Sequence, residues 1–183
     1  VFRWTQDANG GEILEPTDSV IASPPMVKLE AGAQQQFRVM RVKPSEKQDE
    51  EAYRLIVDEL PSPNAKPQKG IQLVMRYSLP LFINVQNNAE PKLQWRAEKA
   101  ENGKTVLVAE NTGNAHAQLS NITFQTTSAK DALTLASGLA GYVLPGNTWK
   151  RELEVSPASL NPGRLNATVN GMPIQTEVRF AAP

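Results

Sequence analysis

Turn-forming residues interrupt this chain at short and fairly regular intervals, and that spacing restricts the fold more than any other feature of the sequence. The 183 residues include 14 prolines and 11 glycines, and these fall between short stretches in which apolar and polar residues alternate. Alternation with a period of two is typical of β-strands, whereas a helix needs a longer uninterrupted stretch with a period of about 3.6 residues. We therefore predict an all-β protein.

The predicted strands follow this punctuation. In the first part of the chain they are Val1–Thr5, Glu12–Leu14, Val20–Ser23, Gln36–Val42, Ala52–Glu59 and Gly70–Ile83. In the second part they are Lys92–Lys99, Thr105–Asn111, Ala117–Thr126, Tyr142–Leu144, Trp149–Val155, Arg164–Val169 and Ile174–Phe180. Asn9-Gly10-Gly11 is predicted to form a hairpin turn, because glycine after asparagine readily adopts positive φ. The segment Lys130–Leu139 is assigned to a loop, although it could support a helical turn or two.

A change in composition divides the chain. Between Asn84 and Pro91 the sequence becomes polar, as expected for an interdomain linker. A chain of this length can form two domains of about 90 to 100 residues, so we predict one domain over 1–85 and a second over 86–183. The seven short strands of the second part fit an immunoglobulin-like sandwich. Val1–Trp4 alternate like the middle of a strand without an initiator methionine, so the first domain is expected to lack its N-terminal strands.

Charge and composition argue against several classes of partner. Lys+Arg and Asp+Glu both number 19, which gives a formal net charge of zero, and no block of like charges occurs. Such a chain has little general attraction for nucleic acid or for anionic membranes, so we predict no nucleic-acid binding. No apolar run approaches the roughly 20 residues that a membrane-spanning helix needs, so we predict no membrane insertion.

Residues suited to catalysis or metal binding are scarce. The chain has no cysteine and one histidine, His116, which we predict to be an exposed turn residue. Asp49-Glu50-Glu51 are predicted to form a solvated loop, because such runs are far more often solvated than paired for acid–base chemistry. A zinc site needs several ligands at short spacing, and a hydrolase triad needs a base beside its nucleophile. We predict a protein that is not an enzyme, with no catalytic residues, no metal and no cofactor.

Three segments in the first half resemble a known family. The first, Pro24–Val39, combines a double proline, a turn at Gly32 and an alternating exit strand. The second, Glu51–Pro61, is an acidic and aromatic strand ending in Glu-Leu-Pro, and the third, Gly70–Phe82, is an alternating strand after a polar, proline-broken loop. Together they resemble the periplasmic pilus and fimbrial assembly chaperones of the PapD-like family. The two-domain layout of that family covers essentially the whole chain.

The resemblance implies two immunoglobulin-like β-sandwich domains in a boomerang arrangement. It also implies a periplasmic chaperone of the chaperone-usher pathway, which binds pilus subunits by donor-strand complementation and delivers them to an outer-membrane usher. In this mode, alternate side chains of a chaperone strand enter the exposed core of an incomplete subunit sandwich. Ile71, Leu73 and Met75 share one face of their strand and would be these donor side chains. Alternation alone leaves a second orientation open, in which these three side chains face the core of their own domain and Val74 faces outward.

The chain departs from the family at several positions. The family holds the terminal carboxylate of the subunit with two basic residues, of which the first-strand arginine has no counterpart here. Where the donor-strand lysine aligns, this chain has Pro80. Arg54 and Arg76 are the candidate carboxylate anchors, because a guanidinium group matches a carboxylate in geometry. Asn84 likewise stands where an interdomain arginine is common, which indicates a divergent branch.

Two other functions are compatible with sandwich domains. One is an adhesive or structural immunoglobulin-like module of an extracellular bacterial protein, which would not require an exposed donor strand. The other is a carbohydrate-binding accessory domain, which would favour a planar row of exposed aromatic residues. Trp4, Trp95 and Trp149 are instead far apart and flanked like core residues. For a chaperone, the unpaired donor edge also predicts that the free protein can self-associate.

Overall fold

The computed structural model describes residues 1–45, 49–61, 73–83, 87–100, 102–126, 131–153 and 163–180. Every regular element within these residues is a β-strand, so the predicted all-β class is confirmed. The strands are β1 (Phe2–Gln6), β2 (Glu12–Pro16), β3 (Val20–Ser23), β4 (Arg38–Arg41), β5 (Glu51–Asp58), β6 (Arg76–Ile83), β7 (Leu93–Lys99), β8 (Thr105–Asn111), β9 (Ala117–Thr126), β10 (Leu133–Val143), β11 (Thr148–Leu153), β12 (Gly163–Val169) and β13 (Met172–Phe180). Because these residues contain no helix, they contain none that could cross a membrane.

The chain divides into two compact units. The first comprises Val1–Thr5, Ile13–Lys47 and Glu51–Ile83, and the second comprises Gln6–Glu12, Gln48–Glu50 and Asn84–Pro183. The predicted domain boundary between residues 85 and 86 lies outside the described residues and stays a prediction.

The first unit is built on a four-stranded sheet in the order β2-β1-β5-β6, accompanied by the two-stranded pair β3-β4. β5 and β6 pair antiparallel along their whole length, from Glu51 opposite Ile83 to Asp58 opposite Arg76. β1 pairs with the other side of β5. β5 is therefore an inner strand, and β6 forms one end of the sheet.

Local turn residues in the first half of the chain lie where the sequence predicts them. β3 ends at Ser23, directly before the double proline, because proline cannot donate to a strand ladder. Gly32 has a φ of +77°, in a turn closed by the Ala33 N–H donating to the Glu30 C=O at 3.0 Å. Gly10, with a φ of +82°, occupies the predicted hairpin turn between β1 and β2. Both glycines adopt a backbone conformation that other residues rarely tolerate.

The second unit contains a seven-stranded sheet in the order β10-β9-β12-β13-β7-β8-β11. Its two end strands meet: the Trp149 indole N–H donates to the Ala140 C=O at 3.3 Å, and the Arg151 guanidinium donates to the Leu135 C=O at 3.3 Å. The sheet therefore folds over on itself as a sandwich around one apolar core. The buried core residues are Ala97, Leu107, Ala109, Ala117, Leu119, Ile122, Phe124, Val143, Leu153, Leu165, Ala167 and Val178.

The prediction of a loop over Lys130–Leu139 was wrong in its described part, because β10 occupies Leu133–Val143. This strand pairs with β9 through three register shifts, and Gly138 within it has a φ of +82°. Such bulges remove the strict alternation by which a strand is recognised in a sequence. The alanines and glycines of the segment have low β-propensity, and pairing with β9 decides its structure instead.

Asn111, at the end of β8, binds four backbone groups inside the second unit. Its side-chain nitrogen donates to the Ala115 C=O at 2.7 Å and to the Val143 C=O at 3.0 Å. Its side-chain oxygen accepts from the N–H groups of Lys92 at 3.1 Å and Gly113 at 3.0 Å. Because Asn111 is fully buried, the whole hydrogen-bonding capacity of an asparagine side chain is used away from solvent.

We predict that Asn111→Ala lowers the free energy of unfolding by about 3 kcal/mol or more. The substitution leaves four backbone groups without this hydrogen-bond partner and opens a cavity. Urea unfolding followed by far-UV circular dichroism measures the loss. Asn166→Ala is the matched control, since Asn166 is half-buried and bonds to the side chains of Thr123 and Gln175. Its expected loss is below about 1 kcal/mol. Equal losses in the two variants would contradict the role assigned to Asn111.

Candidate functional site

The outer side of β6 has no strand partner within the described part of the chain. On its inner side β6 pairs with β5, and it is the last strand in the order β2-β1-β5-β6. A sheet edge of this kind offers its N–H and C=O groups to another extended chain. β6 is therefore well suited to binding a further strand.

A row of exposed apolar side chains runs along one face of this edge. Leu73 is 84% exposed, Met75 and Tyr77 are each 53% exposed, and Leu79 is 48% exposed. These residues alternate along the chain, so in an extended backbone they point to the same face. The row ends at Leu81, which is half-buried. We call Leu73, Met75, Tyr77 and Leu79 the apolar row.

The predicted donor residues lie at the beginning of this row. Ile71 lies outside the described residues, whereas Leu73 and Met75 are both exposed. Within the described residues, the predicted strand Gly70–Ile83 was too long at its beginning, because β6 begins at Arg76. Its partner strand β5 ends opposite, at Asp58. One hydrogen bond nevertheless continues the pairing, from the Glu59 N–H to the Met75 C=O at 2.8 Å.

The sequence-based prediction omitted Tyr77 and Leu79, which the structure adds to the row. The signal that identified Leu73 and Met75, an apolar residue at every second position, continues without interruption through both. Extending that count by four residues would have found them.

Arg76, one of the two candidate anchors, is exposed but already paired. Its Nε lies 2.5 Å from Oδ1 of Asp58, and its Nη2 lies 2.9 Å from Oδ2. This two-pronged hydrogen bond lowers the pKa of the Asp58 carboxyl and raises the pKa of the Arg76 guanidinium. A carboxylate from another chain would have to displace Asp58 from Arg76.

Arg54, the other candidate, is 9% exposed and lies on the central strand β5. Its guanidinium carbon is 3.8 Å from the centroid of the Trp4 ring, close enough for a cation–π interaction. Trp4 in turn packs against Phe82 with ring centroids 5.9 Å apart. In the β5–β6 register Arg54 lies directly opposite Pro80, the position where the family's lysine would align.

A buried carboxylate secures β5 near its first residue. Glu51 is 8% exposed; it pairs with Arg41 and accepts hydrogen bonds from the Ser45 Oγ and the Tyr53 hydroxyl, both at 2.9 Å. Nη2 of Arg3 lies 3.9 Å from Oε1 of Glu51. The two arginines compensate the buried charge. Burial, followed by the hydrogen bond to Glu51, raises the pKa of the Tyr53 hydroxyl.

The predictions for His116 and for the acidic run were wrong in part. His116 is half-buried, and its Nδ1 lies 2.6 Å from Oε1 of Glu50, an oxygen that also accepts from the His116 N–H at 2.8 Å. Glu50 and Glu51 are both buried rather than solvated, and Asp49 alone is exposed. The partners lie 66 residues apart, so no local pattern could pair them. Within the described residues, no group of three or more His, Asp or Glu side chains could hold a metal ion.

A family comparison covers the N-terminal part of the chain. Residues 1–87 match the model described as pili and flagellar-assembly chaperone, PapD N-terminal domain. The N-terminal part of the chain, residues 1–87, belongs to the PapD-like family of pilus-assembly chaperones. The family that the sequence motifs indicated is thereby confirmed. A search of curated proteins gave no match.

Solved structures extend the likeness over nearly the whole length of the chain. The crystal structure of the CsuC-CsuE chaperone-tip adhesion subunit pre-assembly complex, from archaic chaperone-usher Csu pili of Acinetobacter baumannii, contains a chain that is 28% identical, with a TM-score of 0.68. That match covers 99% of this chain and 83% of the other. The immunoglobulin-like sandwich fold expected from the sequence is thus confirmed.

Two more distant structures share the fold alone. One is a chaperone-tip adhesin complex described for CFA/I fimbriae biogenesis, with 16% identity and a TM-score of 0.54. The other is the class 5 fimbriae chaperone CfaA, with 13% identity and a TM-score of 0.57. These matches cover 98% and 99% of this chain, respectively, and 83% of each of the others.

We predict that Tyr53→Phe lowers the free energy of unfolding by about 1.5–3 kcal/mol at pH 8, because the variant loses a hydrogen bond to a charged group. Since folding raises the pKa of Tyr53 above its ordinary value of 10.0, folding favours the neutral phenol. The difference in free energy of unfolding between wild type and Tyr53→Phe is therefore fully present below about pH 10 and declines above it. Urea unfolding of both proteins at pH 8 and pH 11 measures the difference. A gap that stays constant or widens at pH 11 would contradict this assignment.

Proposed function

We propose that this protein is a periplasmic chaperone of the chaperone-usher pathway that binds a pilus subunit with β6 by donor-strand complementation and delivers it to an outer-membrane usher. One observation carries the proposal: an edge strand with an apolar row exposed along one face. Membership of the PapD-like family supplies the class of client. The activity is binding and protection of a subunit, without a chemical step.

The geometry supports strand addition because it supplies both requirements of that binding mode. The outer edge of β6 can form main-chain hydrogen bonds, and alternate side chains can fill pockets in the partner. The four side chains of the apolar row are between 48% and 84% exposed. Removing their remaining exposed area from water is worth roughly 4–7 kcal/mol before the cost of ordering the partner. This free energy suits a complex that must later release its subunit.

The alternatives named from the sequence have less support. An adhesive or structural module has no need of an apolar row on an open edge, which favours aggregation unless a partner covers it. A carbohydrate-binding face is disfavoured because Trp4 is buried and Trp95 and Trp149 pack against each other at 6.3 Å beside the apolar core. The same open edge supports self-association of the free protein, in competition with subunit binding.

We expect Leu73→Glu and Leu79→Glu each to abolish recovery of a soluble one-to-one complex when this protein is co-expressed with pilus subunits from its own operon. Each substitution places a charge in what would become an apolar interface. Ser78→Glu is the matched control, because Ser78 is exposed on the opposite face of the same strand. This control should retain the complex.

Thermal unfolding of each free variant, monitored by circular dichroism, separates loss of binding from loss of folding. Complex formation by both folded leucine variants, at the yield of wild type, would exclude the apolar row from the site. Absence of any complex with wild type would instead favour the adhesive-module alternative.

Arg54 is better supported than Arg76 as the anchor for a terminal carboxylate. Arg54 lies opposite Pro80, the aligned position of the family's lysine, and stacking on Trp4 holds its guanidinium in place. Arg76 is engaged by Asp58 through two hydrogen bonds, so it must give up an existing ion pair. We therefore propose Arg54 as the anchor and Arg76 as the weaker candidate.

We predict that wild type binds a peptide from the C-terminus of a pilus subunit about tenfold or more tightly when the terminal carboxylate is free than when it is amidated, since a charged hydrogen bond is worth about 1.5–3 kcal/mol. Arg54→Gln should remove this preference, and Arg76→Gln should keep it. Isothermal titration calorimetry of each protein with both peptides measures the affinities. Loss of the preference in Arg76→Gln alone would transfer the role to Arg76, and a wild type without preference would exclude both arginines.

A further inference from the structure

Pro80 reveals which backbone groups of β6 are free to bind a partner. In an antiparallel pair, opposite residues alternate between those that exchange two N–H···O=C bonds and those that exchange none. Pro80 lies opposite Arg54 and has no N–H, so this pair cannot be a bonded one. The bonded pairs are therefore Tyr53 with Leu81 and Leu55 with Leu79.

The same alternation holds beyond the start of β6. The Glu59 N–H donates to the Met75 C=O at 2.8 Å, and Met75 precedes Leu79 by four positions, an even number. Odd-numbered residues of the strand thus direct their N–H and C=O groups to β5. Even-numbered residues, Arg76 and Ser78 among them, direct their N–H and C=O groups to the open edge, where Pro80 offers a C=O alone.

We propose that Pro80 sets the register and the end of the strand that a pilus subunit adds to β6, an inference that rests on the proposed function. The incoming strand hydrogen-bonds with Arg76 and Ser78 and stops at Pro80. A partner strand that continued past Pro80 would bury one of its own carbonyl oxygens at a position where β6 has no N–H to donate, which is unfavourable. Pro80 is thus a positioning residue that acts through the backbone.

The side chains set the same limit independently. Leu79 is the last member of the apolar row, and the next residue on that face, Leu81, is already half-buried. The first interruption of the outward backbone donors and the last exposed apolar side chain therefore lie within one residue of each other. Arg54 lies opposite Pro80 at this end of β6, on the face of the sheet opposite to the apolar row.

Ser78→Pro tests the assignment of the outward groups. The substitution removes one outward N–H and no bond to β5, so the variant should fold as the wild type does with Pro80 at the same parity. We expect its Kd for a pilus subunit to rise about tenfold, because one acceptor of the subunit is left buried without a donor.

In hydrogen exchange of the wild type, the amides of Arg76 and Ser78 should exchange fast when free and slowly in the complex. Those of Tyr77 and Leu79 should be slow in both.

Pro80→Ala tests the register itself and does not depend on the fate of Ser78→Pro. The chain has no cysteine, so a single Ser78→Cys substitution can be cross-linked to single cysteines placed along the subunit strand. With Pro80 present we expect one cross-linked position. With Pro80→Ala we expect a second position two residues away, because the restored N–H permits a shifted register that keeps every side chain on its face.

The outcomes separate this inference from the proposed function. If Leu73→Glu abolishes binding while Ser78→Pro binds as wild type does, or if Pro80→Ala keeps a single register, the role of Pro80 is wrong and strand addition stands. If neither Leu73→Glu nor Ser78→Pro affects binding, the proposed function itself fails.

Discussion

The antiparallel pairing of β5 with β6 is the interaction on which the candidate site depends. It joins the two strands along their whole length and so decides which groups of β6 remain available. Side chains hold β5 from both faces, through the Glu51 cluster on one and the stacking of Arg54 on Trp4 on the other. A fixed β5 keeps β6 extended, so less conformational entropy is lost when a partner strand adds.

An open apolar edge is useful to a chaperone and hazardous to any protein, and β6 carries features that limit the hazard. Its second face presents Arg76, Ser78 and Pro80, all exposed, and a charged residue and a proline are typical defences of sheet edges. Pro80 interrupts the outward ladder without disturbing the pairing with β5. The strand can therefore accept one partner over a short segment while offering little to indefinite sheet growth.

Much of the fold and part of the site could be predicted, and the failures share a cause. Leu73 and Met75 were found from alternation along one strand, which needs no knowledge of the rest of the chain. His116 was placed on the surface because its partner, Glu50, is 66 residues away. The burial of Arg54 likewise depends on Trp4, which is brought near through the pairing of β1 with β5. In β10, bulges imposed by pairing with β9 hid a strand from pattern analysis.

The sequence by itself determined the all-β class, the positions of the main turns and the alternation of apolar and polar side chains between the two faces of β6. These depend on dihedral preferences and on the period of side chains along an extended backbone, which are local properties. Only the tertiary structure decided that β6 lies at the end of its sheet, that the side chains of the apolar row stay exposed, and that Glu50 and Glu51 are buried. Those outcomes depend on strand order and register between residues far apart in the chain, and no local preference specifies them.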